Sequence, residues 1–174
     1  MKIAVIGYAG SGKSTLAKHL GDLYGLPVLH LDTLQFLPGW VERSADEKRG
    51  DLTRFLDENG DGWVIDGSYL KICAERRFRE ADRILFLDLP RLTCLCRVIR
   101  RYRTFRGRVR DSIAPGCPEK LDTEFLLWVL FRGRSGRKRR KFRDILAAYP
   151  EKVRVLRSQR EIDRYLQECK GETV

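Results

Sequence analysis

Short apolar runs alternate with amphipathic stretches along the chain. The apolar runs predict buried strands at 2–6, 27–31, 62–65, 84–87 and 153–156. Apolar residues at helical spacing predict helices at 15–25, 44–56, 91–102, 121–131, 138–149 and 159–169. This alternation is typical of an α/β protein with a parallel sheet.

Two local features refine this pattern. Ser44 and Glu47 have the spacing of a capping box and predict a helix that begins after Ser44. Residues 103–120 are polar, basic and interrupted by glycine and proline, which predicts a lid or binding loop. In the third predicted helix, 91–102, we expect Leu92, Leu95 and Ile99 to form the buried stripe. The length, 174 residues, predicts one domain, 1–174, that contains a lid region at 103–143.

The first strand leads into a complete G-x-x-x-x-G-K-[ST] motif, followed by a helix. This order of strand, loop and helix is the context that makes the motif specific for phosphate binding. Its lysine is expected to reach the β- and γ-phosphates of a nucleotide, and the hydroxyl after it to bind Mg²⁺. The predicted nucleotide-binding residues are Gly7, Tyr8, Ala9, Gly10, Ser11, Gly12, Lys13, Ser14 and Thr15.

Acidic residues end three of the predicted strands, at the edge of the sheet where α/β proteins bind ligands. Asp66 is expected to hold Mg²⁺ directly or through water, or else to serve as a cap or turn residue. Asp32 could accept the proton of an attacking hydroxyl, bind the acceptor, or cap a short helix. Asp88 is expected to be structural, and His30 is not expected to share catalysis with Asp32.

The net charge of +11 is concentrated in one segment. Residues 97–143 hold 16 Lys or Arg against 4 Asp or Glu, whereas the rest of the chain is almost neutral. Such a segment predicts an anionic partner, which could be a nucleic acid or the phosphates of a small substrate. The five cysteines have no zinc-like spacing and are expected to be buried free thiols.

Several stretches together resemble a known family. The chain is similar to the adenylate-kinase-like branch of the P-loop kinases, and within it to the bacterial DNA topology modulation (FlaR-related) proteins. The matching stretches are 6–17, 29–34 with Pro38-Gly39-Trp40, 63–69, 86–91 and 116–122.

The resemblance implies a P-loop NTPase fold: a three-layer α/β/α sandwich with a five-stranded parallel sheet of order 2-3-1-4-5 and a basic helical lid. It also implies that Arg97 stacks on adenine, that Arg101 touches the transferring phosphates, and that the turn at Ser158 borders the adenine. Arg103, Arg106, Arg108, Arg110, Arg132 and Arg134 could supply further phosphate contacts. One departure concerns the acceptor, because Ser68-Tyr69-Leu70 stands where nucleoside-monophosphate kinases have Phe-Pro-Arg after Asp-Gly.

The expected function is an ATP- and Mg²⁺-dependent kinase with Lys13, Asp32 and Arg101 as catalytic residues and Ser14 and Asp66 at the metal. Its acceptor would be an anionic or hydroxyl-bearing small molecule. The alternative is a nucleotide-dependent nucleic-acid-binding protein that uses segment 97–143. No apolar run is long enough to span a bilayer, so a cytoplasmic location without membrane contact is expected. The sequence leaves the acceptor and the oligomeric state open.

Overall fold

The structure is a computed structural model that describes residues 1–119 and 121–172. Lys120, which belongs to the stretch 116–122, lies outside the described residues, as do residues 173 and 174. The strands are β1 (Lys2–Gly7), β2 (Val28–His30), β3 (Phe36–Leu37), β4 (Val41–Glu42), β5 (Trp63–Asp66), β6 (Arg83–Leu87) and β7 (Val153–Leu156). The α-helices are α1 (Lys13–Tyr24), α2 (Leu31–Gln35), α3 (Ala45–Glu58), α4 (Ala74–Glu80), α5 (Arg91–Phe105), α6 (Thr123–Leu130), α7 (Gly136–Ala148) and α8 (Gln159–Glu172).

Five of these strands form one parallel sheet in the order β2-β5-β1-β6-β7. This is the expected order 2-3-1-4-5, counted without the antiparallel β3–β4 hairpin. The register places His30 beside Asp66, and Asp66 beside Val5. The carboxyl ends of β2, β5 and β1 therefore meet at one edge, next to the loop that follows β1.

Helices cover both faces of the sheet and give three layers. Side chains alternate along a strand, so Ile3 and Val5 of β1 face one hydrophobic core while Ala4 and Ile6 face the other. The first core is completed mainly by α1, α5 and α8. The second is completed mainly by α3, α4 and α7. The continuous apolar runs of the sequence are thus explained by burial on both faces.

The boundaries of the predicted strands and of most helices are confirmed to within a few residues. At α3, Ser44 Oγ accepts a hydrogen bond from the Glu47 N–H, and the Glu47 carboxylate accepts one from the Ser44 N–H, as the capping box predicts. The pattern did not reveal α4 or the β3–β4 hairpin. Both are too short to show a period in the sequence.

The predicted buried stripe of α5 is wrong. Leu92 is 71% exposed, whereas Cys94 and Val98 are fully or almost fully buried. Leu95 and Ile99 are only half-buried. The inner face of α5 packs against the phosphate-binding loop and carries small and cationic side chains, so hydrophobicity alone selects the wrong side of this helix.

The predicted lid region 103–143 consists of two differently packed parts. Residues 106–119 are mostly irregular and form a small third core, in which Ile113, Ala114 and Cys117 pack against Phe36 and Trp40. By contrast, α6 and α7 pack against the main cores, through Val129 and Phe142. The segment that stands apart from the central sheet is therefore shorter than the basic region of the sequence.

Two smaller expectations can be compared with the structure. All five cysteines are free, but only Cys94, Cys117 and Cys169 are buried, while Cys73 is half-buried and Cys96 is exposed. Among the described residues, no helix is both long and apolar enough to cross a membrane.

Candidate functional site

The segment between β1 and α1 has the shape of an anion-binding loop. Gly10 and Gly12 have φ values of 75° and 97°, in the left-handed region that favours glycine. Gly12 is the N-cap of α1, and no side chain caps this helix end. The free N–H groups and the positive end of the helix dipole together attract phosphate. The geometry therefore fits the site predicted at Gly7, Tyr8, Ala9, Gly10, Ser11, Gly12, Lys13, Ser14 and Thr15.

Polar groups of the loop are placed for a ligand. The Lys13 ammonium donates a hydrogen bond to the Tyr8 carbonyl at 3.1 Å, so it folds back over the loop. Ser11 is fully buried, and its hydroxyl has no hydrogen-bond partner within residues 1–119 and 121–172. Buried hydroxyls normally have partners, so a polar ligand at this loop would resolve the mismatch. Ser14 is half-buried in the first turn of α1, and Thr15 is exposed.

Arg134 holds the loop from outside. Its guanidinium lies 3.9 Å from the centre of the Tyr8 ring and donates to the Leu89 carbonyl at 2.6 Å. It also lies 3.7 Å from the Asp88 carboxylate, which supports a structural role for that acid. Arg134 is only 7% exposed. It is thus fixed in the core beside the loop and does not belong to a mobile lid.

Asp66 lies beside the loop and has an unused carboxylate oxygen. Its Oδ2 is 3.0 Å from Nδ1 of His30 on the neighbouring strand. Its Oδ1 is buried and has no partner among the described residues. A buried carboxylate oxygen without a donor fits a metal-bound water. Asp66 is thus paired with His30 and does not take the alternative role as a cap of the following turn.

Ser14 and Asp66 are the residues predicted to lie at Mg²⁺, and their chemistry fits this ion. A hydroxyl and a carboxylate are both oxygen donors of the kind that Mg²⁺ prefers, and the ion usually keeps several waters. The described part of the chain contains no cluster of three or more His, Cys, Asp or Glu residues suited to a metal.

The turn after β5 links the phosphate loop to Asp32. The Ser68 hydroxyl accepts from the Gly7 N–H at 3.0 Å and donates to the Gly7 carbonyl at 2.8 Å. The Tyr69 hydroxyl donates to Oδ1 of Asp32 at 2.6 Å. Arg77 of α4 is fully buried and donates to the carbonyls of Gly67 and Tyr69. This turn thus holds the phosphate loop through Ser68 and orients Asp32 through Tyr69.

Asp32 belongs to α2 but does not cap it. The N-cap of α2 is His30, without a side-chain cap, so the capping alternative is wrong. Asp32 is half-buried, and its Oδ2 has no hydrogen bond to any described residue. An oriented carboxylate with one free oxygen can accept a proton from a hydroxyl or bind it.

Arg97 and Ser158 lie on the other side of the loop. The Arg97 guanidinium donates to the Ser11 carbonyl at 2.8 Å and to Oε1 of Gln159 at 2.5 Å. The Ser158 hydroxyl accepts from the Glu161 N–H at 3.2 Å at the start of α8. Arg97 is therefore placed between the phosphate loop and the turn expected to border adenine. The contacts of both residues with adenine stay predictions.

Arg101 lies one turn further along α5, in a buried cluster of charges. It donates to Oε1 of Glu119 at 2.6 Å, and Nε of Arg110 donates to the other oxygen of the same carboxylate at 2.5 Å. The side chain of Glu119 is only 5% exposed. Burial lowers the pKa of Arg101, the charge of Arg110 lowers it further, and Glu119 and Asp32 oppose both effects. Arg101 is thus directed at the acceptor side but already has a carboxylate partner.

Sequence reasoning missed the pairs His30–Asp66 and Tyr69–Asp32 and the role of Glu119. Each contact joins residues on different elements, so no spacing in the chain reports it. One indication was available: Ser68-Tyr69-Leu70 departs from the Phe-Pro-Arg pattern described above. Tyr69 of this segment is the residue that contacts Asp32. Among the other lid arginines, Arg103, Arg106 and Arg108 are exposed, and Arg132 pairs with Glu124 at 3.4 Å.

No family model and no curated protein sequence matches this chain. Solved structures do match along nearly its whole length. A candidate kinase from Chloroflexus aurantiacus J-10-fl is 15% identical with a TM-score of 0.59, and the match covers 98% of this chain and 96% of that one. TT1252 from Thermus thermophilus is 18% identical with a TM-score of 0.57, covering 100% and 98%. An uncharacterized protein from Eubacterium ventriosum ATCC 27560 is 14% identical with a TM-score of 0.52, covering 99% and 97%.

At these identities the likeness shows the fold alone, which is an α/β fold with a five-stranded parallel sheet flanked by helices. The expected fold class is thereby confirmed. The narrower resemblance to DNA topology modulation proteins stays a prediction.

Proposed function

We propose that this protein is an ATP-dependent phosphotransferase that moves the γ-phosphoryl group of ATP to a small acceptor at Asp32. One observation carries the proposal. A glycine-rich loop with a free helix N-terminus lies at the same sheet edge as Asp66, with its unpaired Oδ1, and Asp32, with its free Oδ2. An anion site beside two oriented carboxylates is the arrangement that phosphoryl transfer requires.

The donor phosphates are bound by the backbone N–H groups of the loop and by Lys13. Lys13 exchanges its present partner, the Tyr8 carbonyl, for phosphate oxygens when the nucleotide binds. Bound Mg²⁺ would neutralise charge on the phosphates, with Ser14 as a ligand and Asp66 reached through water. Arg97 closes the site over the loop from the side of α5.

The transfer step itself is assigned to the acceptor side. The acceptor hydroxyl oxygen forms a bond to the γ-phosphorus as the bond between that phosphorus and the β,γ-bridging oxygen breaks, and ADP leaves. Asp32 orients the hydroxyl and takes up its proton, while Tyr69 holds the carboxylate in place. Arg101 stabilises charge on the transferring group from the opposite side.

The segment 106–119 is suited to exclude water from this site. The Gly39 N–H donates to the Gly116 carbonyl at 3.0 Å, and the Trp40 indole donates to the Pro118 carbonyl at 3.2 Å. The lid thus rests on the segment 36–42 that follows Asp32. Water exclusion favours transfer to the acceptor over hydrolysis of ATP.

A screen of phosphoryl acceptors with labelled ATP tests the proposal. Wild-type protein is incubated with nucleosides, nucleotides, sugars and small hydroxyl metabolites. We expect label on one acceptor class, and much less of it when Lys13→Ala replaces the wild type. Lys18→Ala, an exposed lysine on the same helix, is the matched control and should keep its activity. Failure of the wild type to bind Mg·ATP would refute the proposed function.

A second function, nucleic-acid binding, is favoured by one surface. The surface of α7 exposes five cations, and these are not among the residues predicted to bind the nucleotide. The exposed cations are Arg137, Arg139, Arg140, Lys141 and Arg143. The binding of about six phosphates there would give a slope of log K against log salt near −5.

The two basic surfaces allow a direct test. Arg137, Arg140 and Lys141 are changed together to Gln, and a matched triple variant changes the exposed lid residues Arg103, Arg106 and Arg108. Binding to duplex DNA is measured over a range of salt concentrations. Loss confined to the α7 variant supports this second function, and a flat salt dependence of the wild type excludes it.

A further inference from the structure

The acceptor side of the site is rich in carboxylates. The Asp32 carboxylate accepts a hydrogen bond from the Tyr69 hydroxyl. Two further carboxylates lie close enough to Tyr69 to affect its pKa. Burial is the main cause that raises the pKa of Tyr69, and the charges of Asp32, Asp66 and Glu42 raise it further. Glu42 lies on β4, and its carboxylate accepts a hydrogen bond at 2.6 Å from the side chain of Gln35, the last residue of α2. The charges of three acidic groups therefore act on the Tyr69 hydroxyl, which holds Asp32.

The nearby cations are already paired with carboxylates. Arg101 and Arg110 share the buried carboxylate of Glu119. Lys48, only 8% exposed at its side chain, lies 2.9 Å from Glu42. Each of these three cations thus has a carboxylate partner, and Glu119 lowers the net charge of the Arg101–Arg110 cluster from two positive charges to one.

Two further cations of this region, Arg77 and Lys71, are not placed to bind an anionic acceptor. Arg77 is fully buried, and its hydrogen bonds hold the carbonyls of Gly67 and Tyr69. Lys71 is exposed, and its charge helps to lower the pKa of Glu42, after the larger effects of Lys48 and Gln35. The arginine that follows Asp-Gly in nucleoside-monophosphate kinases is absent, because Tyr69 and Leu70 stand there.

We infer that the acceptor is a hydroxyl compound without a phosphate or other anionic group, and that Glu119 enforces this choice by pairing with Arg101 and Arg110. The inference rests on the proposed kinase function and names its substrate class. A phosphate monoester brings about −1.5 to −2 charges at neutral pH. It would have to break the Glu119 pairs and leave a buried carboxylate without partners, which is costly.

Binding to wild-type protein tests this substrate class. Protein saturated with Mg·ADP is titrated by calorimetry with matched pairs: adenosine and AMP, thymidine and TMP, glucose and glucose 6-phosphate. We expect each monoester to bind at least about tenfold more weakly than its uncharged partner, a difference of ~1.4 kcal/mol, or not at all. Equal or tighter binding of the monoesters overturns the inference. The proposed function fails separately, if Mg·ADP and Mg·ATP do not bind.

The role of Glu119 has its own test. Glu119→Gln removes the shared negative charge while it keeps the size of the side chain. We expect the affinity for inorganic phosphate and for the monoesters to rise about tenfold, because Arg101 and Arg110 lose the carboxylate that they share. Glu124→Gln, an exposed carboxylate that pairs with Arg132, is the matched control and should change nothing.

Unchanged phosphate affinity in a folded Glu119→Gln protein overturns the role of Glu119. If this variant does not fold, Arg110→Gln replaces it. In that variant only Arg101 pairs with Glu119, and the cluster has one positive charge less. Inorganic phosphate should therefore bind more weakly than to the wild type. A rise in phosphate binding in Arg110→Gln would overturn the role.

Discussion

The donor side and the acceptor side of the site are built in different ways. The donor side is one continuous loop, 7–15, whose backbone N–H groups and helix end bind phosphate. The acceptor side combines side chains from elements far apart in the chain: Asp32 from α2, Tyr69 from the turn after β5, Arg101 from α5 and Glu119 from the lid. Local sequence can encode a backbone site, whereas a site made of side chains depends on how the elements pack.

The two sides also differ in charge. The donor side has an unpaired helix dipole and Lys13, whose only hydrogen-bond partner among the described residues is a carbonyl. On the acceptor side, Glu119 pairs with both arginines. A large number of basic residues in the lid therefore does not by itself show that the lid binds anions, because carboxylates of the protein can pair with them. Separate changes on each side should therefore have separate effects.

The largest effect is expected for Asp32→Asn. The amide keeps the hydrogen bond from Tyr69 but cannot take up a proton, so kcat should fall about 10²–10⁴-fold while Mg·ATP affinity is kept. Turnover and nucleotide binding are measured on the same preparation. Asp22→Asn, on the exposed side of α1, is the control. A fall in ATP affinity equal to the fall in kcat would contradict the separation of the two sides.

Lys13→Ala should break the donor side. Loss of this phosphate contact is expected to reduce kcat/KM for ATP about 10²–10³-fold. The affinity for the acceptor, measured with Mg·ADP absent, should not change, because Lys13 lies over the loop. Steady-state kinetics and calorimetry check both statements, and weaker acceptor binding would argue against independent sides.

Gly10→Ala should destabilise the loop itself. Gly10 has a left-handed backbone, and an added Cβ would collide with the Cys94 carbonyl and lie 2.9 Å from Cγ2 of Val98. The strain and the overpacking together should cost about 3 kcal/mol of unfolding free energy. Gly25→Ala is the matched control: its φ is 63°, but, apart from its chain neighbours, none of the described residues has an atom within 4 Å of the added Cβ. This control should lose only about 1 kcal/mol, and equal losses in urea melts would contradict the predicted collision.

Tyr69→Phe should have the smallest effect. The Asp32 carboxylate loses one donor at 2.6 Å, so its orientation is less fixed. A hydrogen bond to a charged group contributes about 1.5–3 kcal/mol, so we expect kcat to fall about tenfold or somewhat more, with little change in KM for ATP. Tyr102→Phe on α5 is a comparison variant outside the site. An unchanged kcat in Tyr69→Phe would show that Asp32 does not depend on this contact.

The sequence predicted the central architecture well because that part depends on local patterns. Buried parallel strands are continuous apolar runs, and the motif at 7–15 fixes the turn between β1 and α1. The sheet order came from the resemblance and not from the pattern. The prediction for α5 failed because its inner face contacts the loop through Cys94, Arg97 and Val98, so the exposed Leu92 was mistaken for a core residue.

Other features had no signal of their own in the sequence. Nothing near Glu119 indicates that it is buried between two arginines, and nothing near His30 indicates that Asp66 is its partner. Arg134 was indistinguishable from the exposed lid arginines until its position over the Tyr8 ring was seen. In each case the partner lies on another element, and the contact exists only after the chain has folded.

The sequence by itself therefore determined the phosphate loop, the alternating strands and helices, and the acids that end the strands. These follow from backbone conformation and from burial on two sides of a sheet, which neighbouring residues decide. Only the tertiary structure decided which charges are paired. Asp32 is oriented by Tyr69, Arg101 and Arg110 share the carboxylate of Glu119, and the cations of α7 remain exposed, because the balance of charge in a site is set by distance in space.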